Sequence, residues 1–175
     1  TGEALEQAMI SAIELGRQYQ ARLFINDYWQ LAVKHNAYGV HLGQEDLVDA
    51  NLAKIKAADL RLGISTHGYY EFLQALTYQP SYLAVGAIFP TKTKNMTGQI
   101  QGLATLKRLV ELNREYNQPA NTAIPIIAIG GITIDKAPSV LATDVDSIAV
   151  VTAITEAENP EQAVANFEQL LLKYV

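Results

Sequence analysis

The chain has no cysteine among its 175 residues. This absence excludes disulfides, a thiolate nucleophile and cysteine-based zinc sites. The sequence also lacks basic runs and any interleaving of basic and aromatic residues, and its formal net charge is −5. Because binding to a phosphate backbone needs a clustered positive surface, we expect no nucleic-acid partner.

Long apolar segments and targeting segments are missing as well. The longest apolar runs have the length of a strand, far short of the ~20 residues that span a bilayer. The first residues lack the basic, apolar and small-residue zones of a signal peptide. We therefore expect no membrane partner, and a cytoplasmic setting fits these absences.

What the sequence does contain is an ordinary globular composition, 49% hydrophobic and 18% charged, in a length that suits one domain. Six short apolar runs, rich in β-branched residues and glycine, alternate with stretches of helical spacing. Near-continuous apolar runs of this length are typical of strands buried on both faces. The predicted strands are 22–26, 38–43, 61–65, 82–88, 125–130 and 147–154.

The stretches between these runs predict helices. Residues 3–19 form the first, and Leu106, Leu109 and Tyr116 mark the apolar face of a later one. Strands that alternate with helices in this way imply right-handed crossovers and a parallel sheet.

Two architectures fit that alternation, an open doubly wound sheet and a closed barrel. Polar residues and glycines follow all six predicted strands, whereas an open sheet uses mainly the strand ends beside one switch point. A barrel places every strand end around one mouth, where barrel enzymes keep their chemistry. The G-x-G-x-x-G turn of dinucleotide folds is also missing. These features favour a parallel (β/α) barrel.

A glycine pair, Gly130 and Gly131, follows the fifth predicted strand. Barrel enzymes commonly bind phosphate with the loops after their last two strands. Glycines let backbone N–H groups approach an anion closely. The pair is therefore either a phosphate-binding turn or a plain tight turn.

Asp27 and Asp46 each follow a predicted strand and precede a helical stretch. Carboxylate oxygens suit Mg²⁺ when substrate phosphates supply further ligands. Aspartate in this position also caps helices, and the two roles do not exclude one another.

The loop 89–102 is longer than most connections of its kind, and long loops in compact domains tend to be functional. Thr91, Thr93 and Lys94 offer hydroxyl and ammonium donors to a phosphate, and Lys92 reads as a solvated side chain. Of the histidines, His41 lies within a predicted strand and is either a hydrogen-bonded interior residue or, as the less favoured alternative, a general base.

These strand-end motifs resemble those of thiamine phosphate synthases, and most closely those of the single-function bacterial enzymes. The resemblance covers nearly the whole chain in order. The matching stretches are LFINDYWQLAVKHNAYGVHLGQEDL (23–47), LGISTH (62–67), YLAVGAIFPTKTK (82–94), QGL (101–103), IAIGGIT (127–133) and SIAVVTAI (147–154).

The resemblance implies a (β/α)8 TIM barrel, of which about six of eight βα units lie in residues 1–175 as a single domain. The remaining strand, helix and strand are expected ahead of Thr1. The family's Q-x-R-x-K-type motif, whose basic residues grip pyrophosphate, is absent here, because it would precede the first helix.

The implied activity is a transferase reaction of thiamine biosynthesis. Synthases of this type join hydroxymethylpyrimidine pyrophosphate to thiazole phosphate, giving thiamine phosphate and pyrophosphate. The reaction is dissociative: the C–O bond breaks before the thiazole nitrogen attacks. Such an enzyme stabilises departing negative charge rather than supplying a strong base.

The resemblance also assigns residue roles. Asp27 and Asp46 would hold Mg²⁺, the implied cofactor, and Asn26 would contact the pyrimidine substrate. Ser65 and Lys94 would be catalytic and would hold the pyrophosphate. The implied contacts of the thiazole phosphate are Thr91, Thr93 and the backbone of Gly131, Val151 and Thr152.

Three rival functions stay open at this point. A thiazole tautomerase of the same fold would share the phosphate anchor and a histidine matching His67, but would not need the two aspartates or the T-x-T-K loop. A non-catalytic module that binds a phosphorylated ligand is the second. A phosphosugar isomerase is the third, and it accounts for neither carboxylate. The expected partners are small-molecule substrates, with a homo-oligomer possible.

Overall fold

The computed structural model describes residues 2–91, 100–117 and 123–174. Within them strands and helices alternate. The strands are β1 Phe24–Asn26, β2 Gly39–Leu42, β3 Arg61–Thr66, β4 Tyr82–Val85, β5 Ile126–Ile129 and β6 Ser147–Ala149. The helices are α1 Gly2–Gln18, α2 Trp29–Lys34, α3 Gln44–Asp49, α4 Leu52–Ala57, α5 Tyr69–Leu76, α6 Gly102–Asn117, α7 Ala137–Leu141, α8 Thr152–Thr155 and α9 Pro160–Leu171.

The chain divides into two compact units. The first comprises Thr1–Ser65 with Gln79–Tyr82, and the second comprises Thr66–Tyr78 with Leu83–Val175. In the first unit β1, β2 and β3 are parallel neighbours in chain order, and their register pairs Asn26 with His41 and His41 with Gly63. This register aligns the carboxyl ends of β1 and β2.

The second unit repeats the pattern with its own strands. Here β5 pairs in parallel with both β4 and β6, with Val85 opposite Ala128 and Ile129 opposite Ala149. The polar segments that follow β5 and β6 therefore start at the same level.

Each unit has its own buried apolar side chains. In the first unit a hydrophobic cluster gathers around β1, β2 and the helices beside them, and α1 contributes with a helical spacing. Its buried members are Met9, Ile13, Ile25, Ala32, Ala37, Val40, Leu42, Ile55 and Leu60. In the second unit the buried residues include Phe72, Leu83, Val85, Ile88, Leu106, Leu109, Ile126 and Val140.

The predicted parallel α/β alternation is confirmed, while closure into an eight-unit barrel stays a prediction. The predicted run 82–88 is strand only as far as Val85, and the last run also differs from expectation. The run 147–154 is not a single strand, because β6 ends at Ala149 and α8 begins at Thr152. An apolar run of this length does not by itself distinguish a strand from a strand followed by a short helix.

None of the helices in the described ranges combines the length and apolar character needed to cross a membrane.

Candidate active site

The first group of predicted site residues lies at or after the ends of the adjacent strands β1 and β2. Asn26 is exposed at the last position of β1. Asp27 follows with φ of 66°, and its backbone N–H donates to the His41 carbonyl at 2.9 Å. Because Asp27 lies in the left-handed region, the chain turns sharply as it leaves the strand. The N-cap of α2 is Tyr28, so Asp27 does not hold the capping position that its place in the sequence allows.

Asp46, by contrast, does have a local structural role. It lies in the first turn of α3, and its Oδ2 accepts a hydrogen bond from the Gly43 N–H at 2.9 Å. A carboxylate here also complements the positive end of the helix.

The donor set fits Mg²⁺ better than a metal held wholly by protein. Asp27 and Asp46 follow the carboxyl ends of adjacent parallel strands. Within the described ranges, no group of three or more His, Asp or Glu side chains gathers as a metal site. Mg²⁺ usually binds through one or two carboxylates together with substrate phosphates and water, and Asp27 and Asp46 offer two.

Ser65 lies on β3, at the centre of a hydrogen-bonded group. Its Oγ is 2.8 Å from Nε2 of His41, and Nδ1 of His41 is 2.8 Å from the hydroxyl of Tyr82. The Ser65 carbonyl accepts a hydrogen bond from Nε2 of Gln44 at 2.6 Å. His41 is thus the hydrogen-bonded interior residue that its strand position predicts.

Tyr82 and Gln44 are the members of this group to which the sequence assigned no role. Tyr82 is 41 residues from His41 along the chain, so no local spacing relates them. Burial raises the pKa of the Tyr82 hydroxyl to about 12, because a phenolate would lose its hydration there. The phenol therefore stays protonated at neutral pH and can donate.

The glycine pair after β5 packs closely against the segment that follows β4. The Ile88 and Phe89 N–H groups donate to the Ile129 and Gly130 carbonyls, each at 3.0 Å. Gly131 has φ of 66°, and a Cβ there would lie 2.5 Å from the Pro90 carbonyl oxygen. Only glycine fits this turn without a shift of the backbone.

Thr91 is half-buried and directly follows Pro90, the residue whose carbonyl oxygen lies against Gly131. The base of its loop is tied by hydrogen bonds from the Gln101 and Gly102 N–H groups to the Ala87 and Ile88 carbonyls, at 2.8 and 3.2 Å. Thr93 and Lys94 lie outside the described residues.

Val151 and Thr152 lie after β6, at the start of α8. Val151 is the N-cap, and its carbonyl accepts from the Ile154 and Thr155 N–H groups at 2.9 Å. Both Val151 and Thr152 are exposed. The first N–H groups of a helix have no partner within the helix. Val151 and Thr152, predicted to end a strand, therefore begin a helix directly after β6.

Lys136 is a further cation that sequence reasoning missed. Its Nζ lies 3.4 Å from the Gly131 carbonyl oxygen and 5.0 Å from the centre of the Phe89 ring. It is five residues from Gly131 and belongs to no recognisable motif, so a fold was needed to relate the two.

The remaining histidines are held by carboxylates. Nδ1 of His67 lies 2.9 Å from Oε2 of Glu71, which also accepts from the His67 N–H at 2.6 Å. His35, the C-cap of α2, places Nε2 2.5 Å from Oε1 of Glu6.

The chain resembles proteins of known function along most of its length. The family model described as thiamine monophosphate synthase matches residues 1–154. The thiamine-phosphate synthase of Yersinia pseudotuberculosis serotype O:1b is 57% identical over 167 residues, 95% of this chain and 74% of that protein. The thiamine-phosphate synthase of Salmonella paratyphi A is 56% identical over 163 residues, 93% of this chain and 74% of that protein.

The fold of the chain is also similar to that of a solved structure. The thiamine phosphate pyrophosphorylase from Pyrococcus furiosus superposes with a TM-score of 0.83 at 31% identity, and the match covers 100% of this chain and 79% of that one.

Proposed function

Because the chain belongs to the thiamine monophosphate synthase family, we propose that its strand-end residues join hydroxymethylpyrimidine pyrophosphate to thiazole phosphate in a Mg²⁺-dependent reaction. The chain is a transferase, since relatives that match 95% of it at 57% identity are thiamine-phosphate synthases. That identity is the observation that carries the proposal. The products are thiamine phosphate and pyrophosphate.

The reaction depends on stabilisation of the leaving group rather than on a strong base. The bond from the pyrimidine methylene carbon to the pyrophosphate oxygen breaks, and its electron pair leaves on the oxygen. The lone pair of the thiazole nitrogen then forms the new bond to that carbon. The described residues assigned to this reaction fit its chemistry, since they offer carboxylates, hydroxyls and backbone N–H donors.

Asp27 and Asp46 are assigned to the pyrophosphate end of the reaction. They would hold Mg²⁺ jointly with the substrate, because each follows the end of one of two adjacent strands. When bound, the metal would neutralise charge on the departing pyrophosphate. Asn26, exposed beside Asp27, contacts the pyrimidine substrate in this proposal.

Ser65 and Lys94 are assigned to the pyrophosphate itself. The Ser65 hydroxyl donates a hydrogen bond, and the Lys94 ammonium stabilises the negative charge that develops as the C–O bond breaks. Neither residue has to form a covalent bond to the substrate.

The thiazole phosphate is assigned to the turn after β5 and the start of α8. Backbone N–H groups of Gly131, Val151 and Thr152 would bind its phosphate, and hydroxyls of Thr91 and Thr93 would bind the same ligand. Lys136, close to the Gly131 carbonyl, adds a positive charge. Anchoring the acceptor raises its effective concentration near the reacting carbon.

Formation of thiamine phosphate from the two substrates, with and without Mg²⁺, tests the proposal. Product that depends on Mg²⁺ supports it, whereas conversion of a thiazole phosphate tautomer without need of the pyrimidine substrate indicates a tautomerase. Binding of thiazole phosphate without turnover indicates a binding module.

The metal assignment is tested with Asp27→Asn and Asp46→Asn. Both should lose Mg²⁺-dependent turnover. Asp49→Asn is the matched control, because Asp49 is an exposed carboxylate at the far end of the same helix α3. A variant pair that turns over as well as the control would contradict the assignment.

A further inference from the structure

A row of residues crosses β2 and β3 of the first unit beside Ser65 and ends at Tyr82. The register places His41 of β2 opposite Gly63 of β3. A Cβ on Gly63 would lie 2.5 Å from the hydroxyl oxygen of Tyr82. The glycine thus leaves the space through which the phenol passes over β3 and reaches the His41 ring.

The Tyr82 ring is fixed on two sides. It stacks on His41 with ring centres 5.5 Å apart and an interplanar angle of 18°. Phe24 meets it edge-on, with centres 5.0 Å apart and an angle of 88°. Aromatic contacts of these two geometries are favourable, so the phenol is held at its 2.8 Å distance from Nδ1 of His41.

The direction of the hydrogen bonds follows from acidity. A neutral imidazole has one N–H donor and one acceptor nitrogen, and the partner of one nitrogen sets the role of the other. A phenol is a much stronger acid than a serine hydroxyl, so the phenol is the better donor to the acceptor nitrogen. The favoured chain therefore runs from the Tyr82 O–H to Nδ1, and from the Nε2–H to the Ser65 Oγ.

We propose that Tyr82 is a positioning residue: by donating to Nδ1 of His41 it makes the Nε2–H a donor to Ser65, which leaves the Ser65 hydroxyl proton to be donated to a phosphate oxygen of the substrate. In the opposite tautomer Ser65 would donate to His41 and would present a lone pair to an anion. The Gln44 side chain holds the Ser65 carbonyl at 2.6 Å, which fixes the backbone while the histidine orients the hydroxyl. The inference rests on the proposed function for the identity of the anion.

The tautomer is measured directly by nitrogen NMR of the histidine rings. The chain has three histidines, so His41→Gln assigns the His41 signals by their loss. We expect one protonated Nε2 and one unprotonated Nδ1 in the unsubstituted protein. Tyr82→Phe should shift the His41 signals toward a mixture of tautomers. A protonated Nδ1 in the unsubstituted protein, in either the other tautomer or the imidazolium, would overturn the inference.

Kinetics provide the second readout. Tyr82→Phe keeps the ring and removes the donor, and it should lower kcat about three- to tenfold, the scale of one hydrogen bond, with an unchanged KM for thiazole phosphate. Tyr38→Phe is the matched control, because Tyr38 also meets Phe24 edge-on, with ring centres 5.5 Å apart. The control should keep its kcat.

A double substitution separates positioning from packing. In His41→Gln the side-chain amide can donate to Ser65 without help from a phenol, so adding Tyr82→Phe should change kcat by less than about twofold. An equal loss of kcat in both backgrounds would mean that Tyr82 acts through packing.

These outcomes separate the inference from the proposed function. If the unsubstituted chain makes thiamine phosphate and Tyr82→Phe is as fast, the positioning role is wrong and the function stands. If the unsubstituted chain makes none, the function fails, and the ring-nitrogen signals still decide whether Tyr82 sets the tautomer.

Discussion

At the scale of single residues, Asp46 combines a structural bond with a proposed ligand role, and the two can be separated. Its Oδ2 accepts the Gly43 N–H at 2.9 Å. Asp46→Asn keeps an acceptor oxygen and loses the charge, whereas Asp46→Ala loses both. We expect Asp46→Ala to lower the free energy of unfolding by about 1 kcal/mol, the usual scale of a lost cap, and Asp46→Asn by less.

Activity should not follow that order. Both substitutions remove the charge, so both should lower turnover on the order of a hundredfold, as loss of a single electrostatic group does. Chemical denaturation gives the stabilities, and thiamine phosphate formation gives the rates. An active Asp46→Asn enzyme would mean that Asp46 only caps its helix.

The Lys94 prediction belongs to the same scale. Lys94→Ala should raise the activation free energy by about 2.7–4 kcal/mol and so lower kcat, because the proposed role is to stabilise charge. The free energy of unfolding should not change. Lys92→Ala is the control two residues away, and it is expected to keep its kcat. Equal effects of the two substitutions would argue for a general positive field rather than a specific contact.

At the scale of elements, the turn after β5 holds the proposed phosphate anchor, and its glycine is a poor place to test it. Gly131→Ala puts a Cβ 2.5 Å from the Pro90 carbonyl oxygen, at a φ of 66°. We expect it to destabilise the fold by about 1–3 kcal/mol, so weaker binding in that variant would be ambiguous.

Lys136→Met provides the cleaner test of the same turn. It removes the charge near the Gly131 carbonyl and keeps much of the side-chain volume. Affinity for thiazole phosphate should fall by about fivefold or less, the scale of an exposed ion pair. Lys107→Met, at an exposed position of α6, should not change the affinity measured by calorimetric titration. Unchanged affinity in both variants would remove Lys136 from the site.

The element scale also shows what the sequence could predict. Every strand in the described ranges falls on a predicted run, because strands buried on both faces are apolar throughout. Only β3 extends past the end of its run, by one residue, to Thr66. Their ends were less predictable, since the chain after β4 stays apolar where it runs beside β5, and the run after β6 turns into α8. Tyr116, expected on the apolar face of α6, is 61% exposed, and the last buried residue among the described side chains of that helix is Asn113.

The arrangement of the candidate site could be predicted only for residues that directly follow a strand. Asp27 and Asp46 could be assigned to the same edge of the sheet because each follows a strand. The contact of His41 with Tyr82 could not be predicted, since it depends on the strand register and on the space left by Gly63. The position of Lys136 could not be predicted either, because the segment between Gly131 and Lys136 has no regular spacing that would place the ammonium near the Gly131 carbonyl.

The stability of the chain as a whole should depend on pH in part through the ion pairs of Glu6. Glu6 of α1 lies 2.6 Å from Nζ of Lys34 and 2.5 Å from Nε2 of His35, both at the end of α2. These hydrogen bonds, that of Lys34 first, hold the pKa of the Glu6 carboxyl below its usual value of 4.5. A lowered pKa means that the unfolded chain takes up this proton at a higher pH than the folded chain does.

The sign of the effect follows from that order of protonation. The stabilisation by Glu6 is fully present above about pH 6, where the carboxyl is ionised in both states. It is lost as the pH falls through 4.5 and then through the lower pKa of the folded state. Glu6→Gln should therefore be less stable than the unsubstituted chain at pH 6, and the difference should shrink to near zero in strong acid.

Denaturant unfolding across this pH range measures the difference. Glu14→Gln is the matched control, because Glu14 is an exposed carboxylate on the same helix α1, and it should run parallel to the unsubstituted chain throughout. The Glu6 side chain is itself partly exposed, so added salt should reduce the difference at pH 6. A difference that grows on acidification, or one that ignores pH, would show that Glu6 stabilises the fold through packing rather than through its charge.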